Sequence, residues 1–286
     1  MRRSIPPPPF DSDDYTCLRK GIYDDDTIEV YVNAAGDFAY LSPIPATDYR
    51  SYEPRVQKLH LQAYKKDNDV AARRYEKLEK MIGQAGSFLE VGAGNAGFLA
   101  YIHERRPVLE LACIEPDENT RRERAVHTWL RQFEDFQSTP AGRFDLVGLF
   151  HVLEHVLEPA PFLRSCAALL SPHGRLLIEV PSLTDPLLDL YRLKSYKEFF
   201  FQRQHPFYYS GTSLERLLKD LGFTVDAMIK HQRYGIENHL NWLQTGQPGG
   251  NAEFREIFRG ADDAYRRSLE ASGRCDAVIA IVGRSQ

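Results

Sequence analysis

Two short clusters in this chain have the residue types and spacing for chemistry. The first is FLEVGAGNAGFL, Phe88 to Leu99, which contains Gly92-x-Gly94-x-x-Gly97. In that spacing the first glycine permits a tight turn after a strand. The second lets the backbone approach a ligand, and the third lets helix and strand pack closely. Glu115 ends the next apolar run, where a carboxylate can accept hydrogen bonds from both hydroxyls of a ribose. The two features point to an adenosine. Glu90, just ahead of the turn, works against a pyrophosphate at the helix N-terminus and favours an ammonium or sulfonium. The second cluster is His151-x-x-Glu154-His155, inside RFDLVGLFHVLEHVLEP. Residues at i, i+3 and i+4 share a helix face, and some zinc peptidases use this spacing. A zinc enzyme needs a long helix and a third ligand. Here the cluster follows a strand, at the point where open α/β sheets bind ligands. Glu154 and His155 are read as ordering that loop, and no metal is expected.

The elements that must position these clusters alternate. Candidate strands are Ser87–Val91, Glu110–Glu115, Phe144–Leu149 and Arg175–Val180, with helical segments Gly97–Glu104, Glu118–Arg131 and Pro161–Leu170 between them. Strand-helix alternation of this kind builds a parallel sheet covered on both faces. A helical pattern runs from about Tyr52 to Ile82. A helix at Ser213–Leu221, a strand at Phe223–Ile229 and the apolar run DAVIAIVGR close the chain. Near the start, TIEVYVNAAGDFAYLS alternates and breaks at Ala35-Gly36-Asp37, which predicts a β-hairpin over residues 27–42 packed on the main body. A proline-rich and then acidic tail precedes it.

Four segments in order resemble the motifs of class I S-adenosylmethionine-dependent methyltransferases. They are FLEVGAGNAGFL, IEPD (Ile114–Asp117), FDLVGLFHVLEHV and LLSPHGRLLIEVPS (Leu169–Ser182). The resemblance covers about Tyr49 to the end. It implies an α/β, Rossmann-like, seven-stranded, mostly parallel sheet with an antiparallel last strand and helices on both faces, plus a small N-terminal β-hairpin appendage. The implied division is residues 1–48 for the tail and hairpin and 49–286 for the methyltransferase domain. It also implies S-adenosylmethionine as cofactor. Glu90, Gly92, Ala93 and Gly94 would cradle the methionine end, and Glu115 the ribose. Pro116 and Asp117 would flank the adenine, Asp135 would meet its amine with Glu134 as the alternative, and His151 would lie beside the sulfonium.

The stretch EVPS…FFFQRQHPFYYSGTSLERLLKDLGF further resembles a bacterial subgroup acting on sugars of natural products and surface polysaccharides. Residues 185–212 would then cover the acceptor. The resemblance implies His205 as the base that deprotonates a hydroxyl, with His151 and His155 as the other catalytic candidates and His231 and His239 further off. Tyr208, Tyr209, Arg203 and Tyr49 would touch the substrate. Methyl transfer is an in-line displacement, so alignment and exclusion of water are the main needs, and histidine suits the proton. The hairpin resembles the remnant of a zinc ribbon, with Asn33 and Ala34 where cysteines would stand.

Composition agrees with a globular enzyme. The 286 residues are 43% hydrophobic and 27% charged, and the net charge of −4 gives no electrostatic reason for a nucleic-acid partner. There is no apolar run of membrane-spanning length, and the N-terminus lacks a secretory h-region. Four widely spaced cysteines fit a reducing cytoplasm. The expected partner is a small-molecule or glycan acceptor, and a homodimer is compatible with the sequence. Three rival readings stay open: C- or N-methylation of a small metabolite or quinone precursor, a non-catalytic donor-binding module, and an NAD-dependent oxidoreductase.

Overall fold

The computed structural model describes residues 9–10, 13–23, 25–45 and 67–284. Strands β1 (Tyr15–Ile22), β2 (Asp25–Asn33) and β3 (Phe38–Ser42) form an antiparallel meander. The expected hairpin is β2–β3, and β1 adds a strand that its polar, irregular sequence concealed. Its turn is set by Asn33, whose Oδ1 accepts from the amides of Asp37 and Phe38 while Gly36 takes φ 71°. Tyr49 and Tyr52 lie outside the described residues.

The main body alternates from there. Helix α1 (Asp67–Gln84) leads into β4 (Ser87–Val91), α2 (Gly97–Arg105) and β5 (Glu110–Ile114). The run expected as one helix over Glu118–Arg131 is instead a 3-10 turn, a short helix α3 (Arg121–Ala125) and an edge strand β6 (Arg131–Phe133). Val126, His127, Thr128 and Trp129 supply no strong helix former to carry the helix on. Next come β7 (Phe144–Phe150), α4 (Pro159–Ala168), β8 (Leu170–Pro181), α5 (Pro186–Asp189), α6 (Lys194–Phe200), β9 (Phe207–Tyr209), α7 (Gly211–Asp220) and β10 (Thr224–His231). Three helices, α8 (Ile236–Thr245), α9 (Ala252–Phe258) and α10 (Asp262–Ala271), precede the last strand β11 (Ala277–Gly283).

Seven strands make one sheet in the order β10-β11-β8-β7-β4-β5-β6. β8, β7, β4, β5 and β6 are parallel, and β11 runs antiparallel to both β8 and β10. Every residue of β4 and β11 is buried, as continuous apolar strands in a doubly covered sheet must be. One face packs on Leu78 and Ile82 of α1 and Leu99 and Ile102 of α2. The other packs on Leu163 and Cys166 of α4 and Leu214 and Leu218 of α7. Strand order reverses between β4 and β7, so their C-terminal ends open the crevice where such sheets bind ligands.

Two arrangements were not legible in the sequence. β9 leaves the main body and pairs with β3, which makes the N-terminal sheet four-stranded and fastens it to the 185–212 segment. The helices of residues 236–271 sit beside the crevice, with α10 held to α1 by Lys77–Glu270 at 2.7 Å. Among the described residues no helix is long and apolar enough to cross a membrane.

Candidate active site

The glycine loop leaves β4 with Gly92 at φ 75° and Gly94 at φ 53°. A Cβ on Gly92 would meet Val152 Cγ2 at 2.5 Å, so this glycine is demanded by the neighbouring loop after β7. A Cβ on Gly94 would meet nothing within 4 Å, because that position faces open space. Gly97 differs from expectation. Its nearest neighbour is Asn95, whose Oδ1 accepts the Gly97 amide at 3.0 Å, and no strand approaches it. Arg124 buttresses the loop from outside, donating to the Gly94 carbonyl at 2.9 Å, a role its place in a helical run did not announce.

A cavity of about 380 Å³ opens over this loop. Glu90, Gly92, Ala93 and Gly94 line it, with His151, Arg74, Arg233 and Glu237. Of the expected nucleoside contacts, Glu115 turns towards the loop and accepts from the amides of Gly94 at 2.6 Å and Asp117 at 2.7 Å. Pro116 is exposed beside it, and Asp135 is exposed after β6, accepting from Ser138 at 2.8 Å in its own turn. Neither Glu115, Pro116 nor Asp135 lines the cavity.

Glu90 is 4% exposed, and its Oε2 has no hydrogen-bond partner. Burial pushes its carboxyl up to about 8. Arg74 opposes that rise, and Glu115 and Glu179 add to it. The sequence presents Glu90 as a negative charge at the turn, whereas in the fold its burial favours the neutral form.

Beneath the crevice lies a buried ionic cluster that sequence spacing could not show. Glu179 of β8 is fully buried and takes a bidentate pair from Arg74 at 2.8 and 2.9 Å. It also meets His151 Nε2 at 2.8 Å and His231 Nδ1 at 3.3 Å. Burial alone would raise the Glu179 carboxyl, but the Arg74 guanidinium and the histidines hold it well below the usual range. Arg74 also stands over the rings of Phe98 and Phe150. His151 adopts φ 58° and places Nδ1 3.2 Å from Glu154.

A second cavity of about 210 Å³ adjoins the first, and His151, Arg233, Tyr234 and Asn238 line both. Its walls are largely aromatic, with Tyr196, Phe199, Phe200 and Trp242, and His205 faces it. Burial and then the neighbouring His155 push the His205 imidazole down to about 3, so it is neutral at working pH. His155 donates Nδ1–H to the Gln204 carbonyl at 2.6 Å, and its ring packs edge-on against His205 at 4.7 Å. Asp185 accepts from the Tyr196 hydroxyl at 2.6 Å, and burial next to Asp276 raises its carboxyl to about 7.

Glu154 is 1% exposed. Burial would raise it, but His151, His155 and His205 together hold it down at about 2. Ligand atoms of Glu154, His155 and His205 lie within 4.8 Å of one another, so these three are the described residues that could hold a metal ion. Other expected substrate contacts are drawn elsewhere. Tyr208 and Tyr209 are core residues of β9, with the Tyr208 hydroxyl taken by the Gln202 backbone. Arg203 pairs with Asp25 of β2 at 2.9 Å. None of these three lines either cavity.

The switch-point crevice, the left-handed glycine turn and the buried orphan carboxyl of Glu90 are features into which a cationic donor such as S-adenosylmethionine fits. The methyltransferase domain model matches residues 62–228, more than half of the chain, and the protein belongs to that methyltransferase family. A curated ubiquinone biosynthesis O-methyltransferase from Bradyrhizobium diazoefficiens is 28% identical over 119 residues, which are 38% of this chain and 46% of the relative. The chain spans less than half the length of the curated relatives it matches. Among solved structures, a SAM-dependent methyltransferase from Archaeoglobus fulgidus superposes with TM-score 0.55 at 16% identity, over 80% of this chain and 99% of that one. The plantazolicin methyltransferase BpumL, solved with a desmethyl-plantazolicin analogue and SAH, gives 0.54 at 14% identity, over 81% and 90%. Both likenesses concern the fold.

Proposed function

We propose that the chain transfers the methyl group of S-adenosylmethionine to a hydroxyl on a ring-bearing small acceptor, a sugar or glycan-linked ring in the first instance. The observation that carries this reading is the junction at His151. One side of the junction holds the glycine loop and Glu90. The other holds aromatic walls and His205. A donor in the larger cavity and an acceptor in the smaller would meet there. The donor, when bound, supplies a methyl group activated by its sulfonium. The chain aligns the partners and excludes water, and aromatic faces stack on rings. His205 is neutral with a lone pair to accept the hydroxyl proton. Residues 185–212 act in this reading as the acceptor cover, and strands β1 to β3 as a strap on that cover.

A second reading is supported by the curated relatives, which are named for ubiquinone O-methylation. The aromatic walls of the smaller cavity suit the ring of a hydroxylated quinone precursor as well. Labelled donor with parallel panels of hydroxylated sugars and hydroxylated aryl acceptors separates the two. Donor binding without turnover on either panel would instead favour a binding module. His205→Ala is expected to lower turnover about 10²-fold or more with donor affinity retained, and unchanged turnover removes His205 as base. Chelator treatment is expected to leave turnover intact. Loss on chelation with return on adding a divalent ion would make His205 a metal ligand with Glu154 and His155.

A further inference from the structure

Arg233 follows β10 and lines both cavities. It is the one arginine shared by the two linings. Its side chain is 13% exposed and fixed at two points: Nε donates to Asp276 Oδ1 at 2.8 Å, and Nη1 abuts His151 Nε2. Nη2, the remaining corner of the fork, makes no hydrogen bond among the described residues.

Asp276 does not simply cancel this charge. Its Oδ2 also accepts from the amides of Arg233 and Tyr234 and from Gln232 Nε2, each at 3.0 Å. A carboxylate shared among four donors leaves a guanidinium with attraction to spare for a further anion. Burial alone would ease the guanidinium proton off, but Asp276 and its neighbours hold the group charged well beyond its ordinary range. Arg233 is the one arginine in the lining of the smaller cavity, where it stands with the carboxyls of Asp276 and Asp185 and next to the histidine that marks the junction. A fixed donor pre-aimed where negative charge develops is the most effective electrostatic aid to a reaction.

We propose that Arg233 binds the acceptor's nucleophilic oxygen in its ionised form, so that the acceptor reacts as an oxyanion. This rests on the smaller cavity being the acceptor site. The hydroxyl proton passes to solvent, and Arg233 holds the resulting negative oxygen. The oxygen–methyl bond forms as the carbon–sulfur bond breaks and its electron pair returns to sulfur, leaving a neutral thioether and a neutral ether. Arg233 is then a catalytic residue, in contact with the reacting atom.

The test uses 4-nitrophenol, a single ring whose neutral and ionised forms differ in visible absorbance. The full chain is loaded with S-adenosylhomocysteine and titrated with the probe across pH. The bound probe is expected to ionise about one pH unit lower than in solution, a tenfold rise in its acid constant. Arg233→Gln is expected to abolish that shift, while Arg233→Lys keeps most of it. An unchanged far-UV circular dichroism spectrum and a cooperative thermal transition in each variant report an intact fold. If Arg233→Gln does not fold, the wild type and Arg233→Lys decide, since a probe bound to either without a downward shift rejects the proposal. A full shift in Arg233→Gln overturns Arg233 while leaving the acceptor cavity in place, as does a shift that disappears only in His205→Ala. A wild type that takes up no probe at millimolar concentration overturns the cavity reading and the proposal with it.

Discussion

Glu90 lies in β4 and Glu154 in the turn that follows the neighbouring strand β7. Both are almost completely buried, and both have side-chain oxygens without hydrogen bonds. They nevertheless sit in opposite states. Glu90 is pushed up to about 8 by burial, with two carboxylates beside it and Arg74 in opposition. Glu154 is held at about 2 because three imidazoles outweigh the same burial. Burial sets the penalty for charge, and the neighbours decide who bears it. Burial thus favours the neutral form of Glu90, and the histidines favour the carboxylate form of Glu154.

Glu179 links the two, since it touches His151 and raises Glu90, so its removal should disturb the comparison most. Glu179→Gln is expected to cost about 3–5 kcal/mol, leaving Arg74 buried without its partner. Urea unfolding at pH 7 measures this. Glu154→Gln comes next, at roughly 3 kcal/mol. The folded pKa of Glu154 lies below its unfolded value of 4.5. Its contribution is complete above pH 4.5 and disappears as pH falls through 2. The variant should lose stability at neutral pH and show a flatter acid limb.

Glu90→Gln tests the other sign. With a folded pKa near 8 and an unfolded value of 4.5, Glu90 makes stability fall as pH rises between them. The glutamine variant should be more stable at pH 7, by an amount of order 2 kcal/mol. It should also bind S-adenosylmethionine about tenfold more weakly. A variant less stable than wild type across that window would show that Glu90 is already ionised and would undo the contrast. The smallest effect concerns Gly94. Gly94→Ala should cost about 1 kcal/mol for its left-handed backbone and no more, since the methyl meets open space. Its effect should fall on donor affinity, measured by calorimetry.

Glu90, Gly92 and Gly94 line the larger cavity and are close in sequence, because one strand and its glycine turn carry all three, whereas Glu115 on the next strand does not line it. The smaller cavity is assembled from segments around residues 151, 181–205, 233–248 and 276, and no short pattern marks such a meeting. Arg74, Glu179 and Arg233 read in the sequence as ordinary residues of a helix, a strand and a loop. Their importance comes from sharing one buried volume. Tyr208 and Tyr209, expected at the substrate, are core residues that line neither cavity, for the same reason in reverse. Aromatic spacing cannot tell a cavity wall from a core strand, and β9 is the latter.

That short strand has a consequence for how the chain is made. β3 pairs with β9 across about 170 residues of sequence, through Phe38–Tyr209, Ala39–Tyr208 and Tyr40–Phe207. At ribosomal speeds of about 5–20 residues per second, the edge of β3 waits on the order of ten to thirty seconds for its partner. An open edge is a template for any other extended chain. A nascent polypeptide stalled or cut before residue 207 would thus be the species most prone to join its own kind. Completing β9 is what covers that edge of β3.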